Sequence, residues 1–112
     1  MGGHISDEIF DEVRRRRMVY RSKQRGWLEV DILLGTWAAQ YIPTLTSEEL
    51  DQYDIILQEE TVNIYNYLTG KQELPDHLLA LPLMTRIKKY ALKNTIKTHT
   101  DYAIYKVSAN LT

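Results

Sequence analysis

Cysteine is missing altogether from this 112-residue chain, and the residues that interrupt regular structure are scarce, with five glycines and three prolines. Without a thiol there is no disulfide, no thiolate nucleophile and no cysteine-held zinc or iron–sulfur site. So few turn formers argue against a turn-rich β fold or a disordered chain and point towards helices. Long apolar runs are also missing. A membrane span needs about 18 apolar residues, and the longest run here, Ile32 to Ile42, is interrupted by Gly35, Thr36 and Gln40, so no direct membrane insertion is expected. The three histidines, His4, His77 and His99, lie far apart and pair with no carboxylate cluster, which speaks against a metal site. No glycine-rich phosphate loop is present, and Ser6, Ser22, Ser47 and Ser108 have no histidine arranged nearby in sequence. The pattern is that of a binding protein rather than an enzyme.

What is present fits one domain, since domains typically run from about 50 to 250 residues. The start, Met-Gly-Gly-His-Ile-Ser-Asp-Glu, has neither the basic and apolar regions of a secretory signal nor the acid-poor character of a transit peptide. Residues 1–5 read as an N-terminal extension or expression remnant, 6–97 as the folded domain and 98–112 as a tail.

The net charge of −1 conceals an uneven distribution. Arg14, Arg15, Arg16, Arg17, Arg21, Lys23 and Arg25 form a basic run that no acid interrupts, and acids then dominate from Glu29 to Asp76, where Lys71 is the single base. Such a run can contact phosphates, with Tyr20 and Trp27 as stacking groups, which defines a nucleic-acid alternative. The plainer reading pairs these bases with the acids that follow. A pI of about 6.3 and the acids of the third helix favour that reading, so no nucleic-acid partner is expected.

Five helices are expected. The first spans about Asp7 to Gln24, capped by Ser6, with Ile9, Phe10, Val13, Val19 and Tyr20 as sparse apolar positions. Gly26 ends or bends it. From Trp27 to about Tyr41, Leu28, Ile32, Leu33, Thr36, Trp37 and Tyr41 recur every three or four residues, the period of a buried helical face. Pro43 stops this second helix. Thr46-Ser47-Glu48-Glu49 is a capping box opening a third helix to about Gln58, with Leu50, Tyr53, Ile56 and Leu57 inward. A brief fourth helix holds Val62, Ile64, Tyr65 and Leu68 and ends at Gly70. Lys71 to Pro75 reads as a loop, and a last helix from Pro82 carries Leu83, Met84, Ile87, Tyr90 and Ala91 inward, with Arg86, Lys89, Lys93 and Lys97 on another face. The tail shows no helical face, and the fold expected is an all-α, compact five-helix bundle with an extended C-terminal tail.

Glu29 and Asp31 admit two readings. Both meet the positive end of the second helix, and Glu29 can also fix the geometry of Arg25 and Gly26 by pairing with a neighbouring base.

The stretch Tyr20-Arg-Ser-Lys-Gln-Arg-Gly-Trp-Leu-Glu-Val-Asp-Ile-Leu-Leu, with Arg25-Gly26-x-x-Glu29 at its centre, closely resembles the signature of the succinate dehydrogenase assembly factor 2 family, the flavinators. The resemblance continues through Glu49-Leu50-x-x-Tyr53-Asp54-x-x-Leu57, Ile64-Tyr65-x-Tyr67-Leu68 and Leu74-Pro75-Asp76, covering about Arg14 to Asn94. It departs from the family pattern at Glu59-Glu60-Thr61-Val62-Asn63 and near Tyr67, where relatives commonly carry an acidic, aromatic run and a tryptophan.

This resemblance implies a five-helix, chaperone-like partner of the flavoprotein subunit of succinate dehydrogenase, promoting covalent attachment of FAD to a histidine of that subunit. It implies that the chain holds no cofactor stably, FAD being carried by the partner, and that the mitochondrial matrix is its location. Arg25, Gly26 and Glu29 carry over as partner-binding residues, with Arg21 and Trp27 beside them. Arg25 and Gly26 are expected to face outward. The free chain is expected to be monomeric, and the alternative is a paralogue kept as a permanent structural subunit of a respiratory complex.

Overall fold

A computed structural model describes residues 7–94. Among them there are six α-helices and no strand: α1 (Asp7–Lys23), α2 (Leu28–Tyr41), α3 (Ser47–Leu57), α4 (Thr61–Leu68), α5 (Asp76–Leu79) and α6, over 82–94. A short 3₁₀ turn, Ile42–Thr44, follows α2 directly. The five expected helices are all found. The sixth, α5, is a single turn opened by Pro75 in the segment read as a connection, and it buries Leu78. The expected Ser6 cap, Lys97, the 1–5 extension and the 98–112 tail lie outside the described residues.

The centre of the fold is α2. Its buried residues Val30, Ile32, Leu33, Leu34, Gly35, Trp37 and Ala38 point in nearly every direction, as in a helix packed on all sides. Around it lie Leu50, Tyr53, Ile56 and Leu57 from α3, Ile64, Tyr67 and Leu68 from α4, and Leu83, Met84, Ile87 and Ala91 from α6. Leu28, Thr36 and Tyr41, expected on the same inner face, are only half-buried. The capping box forms as read: Glu49 N–H donates to Thr46 Oγ1 at 3.2 Å and Thr46 N–H donates to Glu49 Oε1 at 2.9 Å. Gln52 of α3 caps α6 in turn, accepting the Leu83 N–H at 3.1 Å. Arg86 of α6 pairs with Glu49.

The sparse apolar positions read for α1 contribute little to its packing. Ile9, Phe10, Val13 and Tyr20 are exposed, whereas Met18 and Ser22 face the core. The Ser22 hydroxyl, fully buried, bonds the Met18 carbonyl at 2.7 Å and the Tyr53 hydroxyl of α3. Gly35 lets α2 approach the end of α1 closely, since a Cβ there would stand 3.0 Å from Lys23 Cγ. Charge also holds α1 in place. Arg14 pairs with Asp51 at 2.6 Å and Arg21 with Asp54 at 3.2 Å, while Arg15 bonds Asp11 and the Ile42 carbonyl. The basic run is therefore largely neutralised by the chain's own acids and carbonyls, leaving few cations free for a phosphate backbone.

Candidate functional site

Residues Gln24 to Trp27 join α1 to α2 in a tight turn. Gly26 has φ 84, in the left-handed region that a side chain makes costly, and space around it is open, with nothing within 4 Å of where a Cβ would stand. Trp27 is the extended residue before α2 and offers no side-chain cap. Asp31, in the first turn of α2, instead ties down the connecting turn: its Oδ1 reaches back to accept the Arg25 N–H at 2.7 Å. Burial pushes the Asp31 carboxyl above the ordinary carboxylate range, and the N–H groups of Arg25 and Gly26 only partly offset it.

Arg25 faces inward. Its Nη1 donates to the Leu57 carbonyl at 2.7 Å and its Nη2 to the Glu59 carbonyl at 2.5 Å, while its own carbonyl accepts from Thr61 Oγ1 at 3.5 Å. The last carbonyls of a helix have no intrahelical donor and carry the negative end of its dipole, so a guanidinium from elsewhere in the chain satisfies both. Arg25 thus caps the end of α3 and fixes the α3–α4 connection against the α1–α2 turn. Its Nε is buried without a partner among the described residues, and burial lowers the guanidinium's proton affinity. The expected outward projection holds for the exposed Gly26 turn but not for the Arg25 side chain, because the carbonyls at the end of α3 lie within its reach.

The remaining residues of the motif surround this turn. Trp27, 37% exposed, stacks on Tyr65 of α4 with ring centroids 4.6 Å apart and planes 17° from parallel, and Lys71 Nζ lies 4.8 Å from the centre of the Tyr65 ring. Glu29 is half-buried and forms no ion pair among the described residues. The positioning role read for Glu29 is performed by Asp31, two residues on. Arg21 remains exposed at the edge, tied to Asp54. Glu59, read as part of a short connection, carries more than its carbonyl suggests: its Oε2 lies 3.4 Å from His77 Nε2, and its carboxylate adds to burial, the larger cause, in pushing the Tyr67 phenol up. The sequence marked Glu59 only as the start of the stretch that departs from the family pattern, just past the end of α3. Among the described residues no group of three or more His, Asp or Glu side chains gathers to hold a metal ion.

The exposed face of this junction is thus a glycine turn beside a stacked aromatic pair, a shape suited to close approach by another protein. Comparison with known proteins agrees with the motif. Residues 16–91 match the family described as flavinator of succinate dehydrogenase. The chain is 34% identical over 91 residues, 79% of its own length and 48% of the other's, to the mitochondrial succinate dehydrogenase assembly factor 2 of Komagataella phaffii. It is 40% identical over 73 residues, 64% of this chain and 52% of the relative, to the protein of that name from Dictyostelium discoideum. The match to the Lodderomyces elongisporus protein is 47% over 58 residues, 52% of this chain and 35% of the relative. The chain spans about half the length of the first two. By the family match, the shared motif and the helical fold, the chain belongs to the succinate dehydrogenase flavinator family.

Proposed function

We propose that this chain is an assembly factor that binds the flavoprotein subunit of succinate dehydrogenase in the mitochondrial matrix and promotes covalent attachment of FAD to a histidine of that subunit. Family membership together with the open Gly26 turn supports this reading. Gly26, Trp27, Glu29 and Arg21 form the contact surface, with the Trp27–Tyr65 stack as its apolar ledge. Arg25 acts as a positioning residue, holding the turn in shape through Leu57 and Glu59 rather than reaching out to the partner.

FAD is the partner's substrate and travels with the flavoprotein, and the covalent chemistry belongs to that subunit. The chain contributes binding energy. A surface that fits only the flavoprotein conformer in which flavin and histidine meet raises that conformer's population by the difference in affinity between states.

The test combines purified flavoprotein subunit with FAD, with and without this chain, and reads covalent flavin by in-gel fluorescence alongside complex formation by gel filtration. Faster incorporation accompanied by a complex is expected. An unchanged yield with no complex overturns the proposal.

A further inference from the structure

The last helix carries a basic face that neither the core nor the Gly26 site uses. On α6, Arg86, Lys89, Tyr90 and Lys93 stand at spacings of three and four residues, on the side turned away from the buried Met84 and Ala91. Leu92, 52% exposed, lies at the edge of this face. Together with Tyr41 at the end of α2, these side chains line an open groove of about 560 Å³.

The aromatic wall of the groove is already built. The Tyr90 hydroxyl donates to Thr36 Oγ1 of α2 at 3.1 Å, and the Tyr90 ring meets Tyr41 edge-on, with centroids 6.0 Å apart and planes at 85°. The bases stand opposite, on the outer side. Arg86 is already paired with Glu49, whereas Lys89 and Lys93 are exposed and form no ion pair or hydrogen bond among the described residues. Two unpaired cations beside a fixed, amphipathic aromatic wall are complementary to a ligand that brings both negative charge and apolar surface.

Charge and spacing narrow the choice of ligand. Residues 95–112 of the chain itself carry Lys97 and Lys106 against Asp101, so that segment would bring net positive charge to a basic groove. An anionic membrane selects a broad cationic face backed by several apolar residues, and Leu92 is the one exposed large apolar residue of α6 among the described residues. Nucleic acid draws its affinity from several phosphate contacts, more than two free lysines supply. An extended acidic segment fits better. Alternate side chains of an extended chain project to one side about 6.5 Å apart, and residues four apart on a helix, as Lys89 and Lys93 are, stand about 6 Å apart.

We propose that this groove docks an extended acidic segment of a second protein, with alternate carboxylates meeting Lys89 and Lys93 and the intervening apolar side chains resting on Tyr41 and Tyr90. α2 has 14 residues, about 21 Å, and Tyr41 stands at the end opposite the Gly26 turn. The groove is therefore separate from the Gly26 surface, and the inference does not depend on the proposed function.

The test is an NMR titration of the isotope-labelled full chain with an end-capped peptide of alternating glutamate and leucine, at about 50 mM salt to limit screening. Amide shifts gathered at Tyr41 and along 86–93 are expected, and a peptide with glutamine in place of glutamate is expected to give none. Lys89→Glu and Lys93→Glu change exposed positions, so both should keep the parent's circular dichroism, and each is expected to weaken binding at least about fivefold. Lys88→Glu makes the same charge change on another side of α6 and is expected to leave binding as it was. The inference is overturned by an absence of shifts, by shifts centred elsewhere, by equal binding of the glutamine peptide, or by Lys88→Glu weakening binding as much as the groove variants do. Lysine variants that bind like the parent overturn it too. Tighter, lysine-dependent binding to vesicles of anionic phospholipid or to single-stranded RNA assigns the face to that ligand and overturns it equally.

Discussion

Arg25 Nη1 donates to the carbonyl of Leu57, thirty-two residues along the chain, at 2.7 Å. This bond and its neighbour to Glu59 make the arginine of the family motif a cap for α3 as well as part of the α1–α2 turn. Damage at Arg25 is therefore transmitted to α4 and to the Trp27–Tyr65 stack.

Replacing Arg25 by alanine removes two charge-assisted bonds to half-buried backbone and is expected to destabilise the fold by about 2 kcal/mol. A lower urea midpoint with unchanged helix content at zero denaturant is the expected readout. Lysine should not rescue, since one ammonium cannot bridge both carbonyls in the way the forked guanidinium does.

At Gly26 stability and binding are expected to separate. Because φ is 84 and the space is open, Gly26→Ala and Gly26→Arg should cost a similar amount of stability, about 1–2 kcal/mol. Asparagine, which tolerates this conformation better, should cost less. Only the arginine variant adds bulk to the contact face, so it alone should abolish flavoprotein binding. Equal binding by the alanine and arginine variants would show that the open space is not part of the contact.

Two carboxylates should act oppositely on stability as pH changes. The Thr46 N–H, and secondarily Arg86, hold the Glu49 carboxyl below its ordinary value. Glu49 therefore stabilises the fold above the unfolded-state pKa, about 4.3, and that contribution is lost as pH falls through the lower folded value. Burial raises Asp31 instead, so the folded state binds its proton more tightly and stability falls as pH climbs from the ordinary aspartate value through the folded one. Urea titrations across this acid range should show a shallower acid limb for Glu49→Gln. Asp31→Asn, which keeps an oxygen for the Arg25 N–H, should be near neutral or stabilising at pH 7, whereas Asp31→Ala should destabilise by about 1 kcal/mol.

The buried Ser22–Tyr53 pair supplies a double-mutant test. Ser22→Ala leaves the Tyr53 hydroxyl unpaired in the core and should cost about 1–3 kcal/mol. Tyr53→Phe should cost less, because Ser22 keeps the Met18 carbonyl as partner. The double variant should be less destabilised than the sum of the two, which thermal unfolding would reveal.

The features that could be read from sequence were those fixed by neighbours a few residues apart. The Thr46–Glu49 capping box, the break at Gly26 and the inner faces of α3 and α6 all depend on contacts within one or two turns. The orientation of α1 does not. Its sparse apolar residues defined no inner face, and the close approach at Gly35, the Ser22–Tyr53 bond and the reach of Arg15 to the Ile42 carbonyl set which side turns inward. Arg25 was legible as a motif residue but not as a cap, since the carbonyls it serves are defined only once α3 has been packed beside it.

The two tryptophans stand in opposite surroundings. Trp37 is 1% exposed in the core, while Trp27 lies at the site with one face on Tyr65 and its edge in water. The molecule therefore carries two intrinsic optical probes. The tryptophan emission of a Trp37→Phe chain would come from the proposed docking surface alone, so that a change on adding the flavoprotein is expected if that surface is the contact, and a Trp27→Phe chain would report the integrity of the interior.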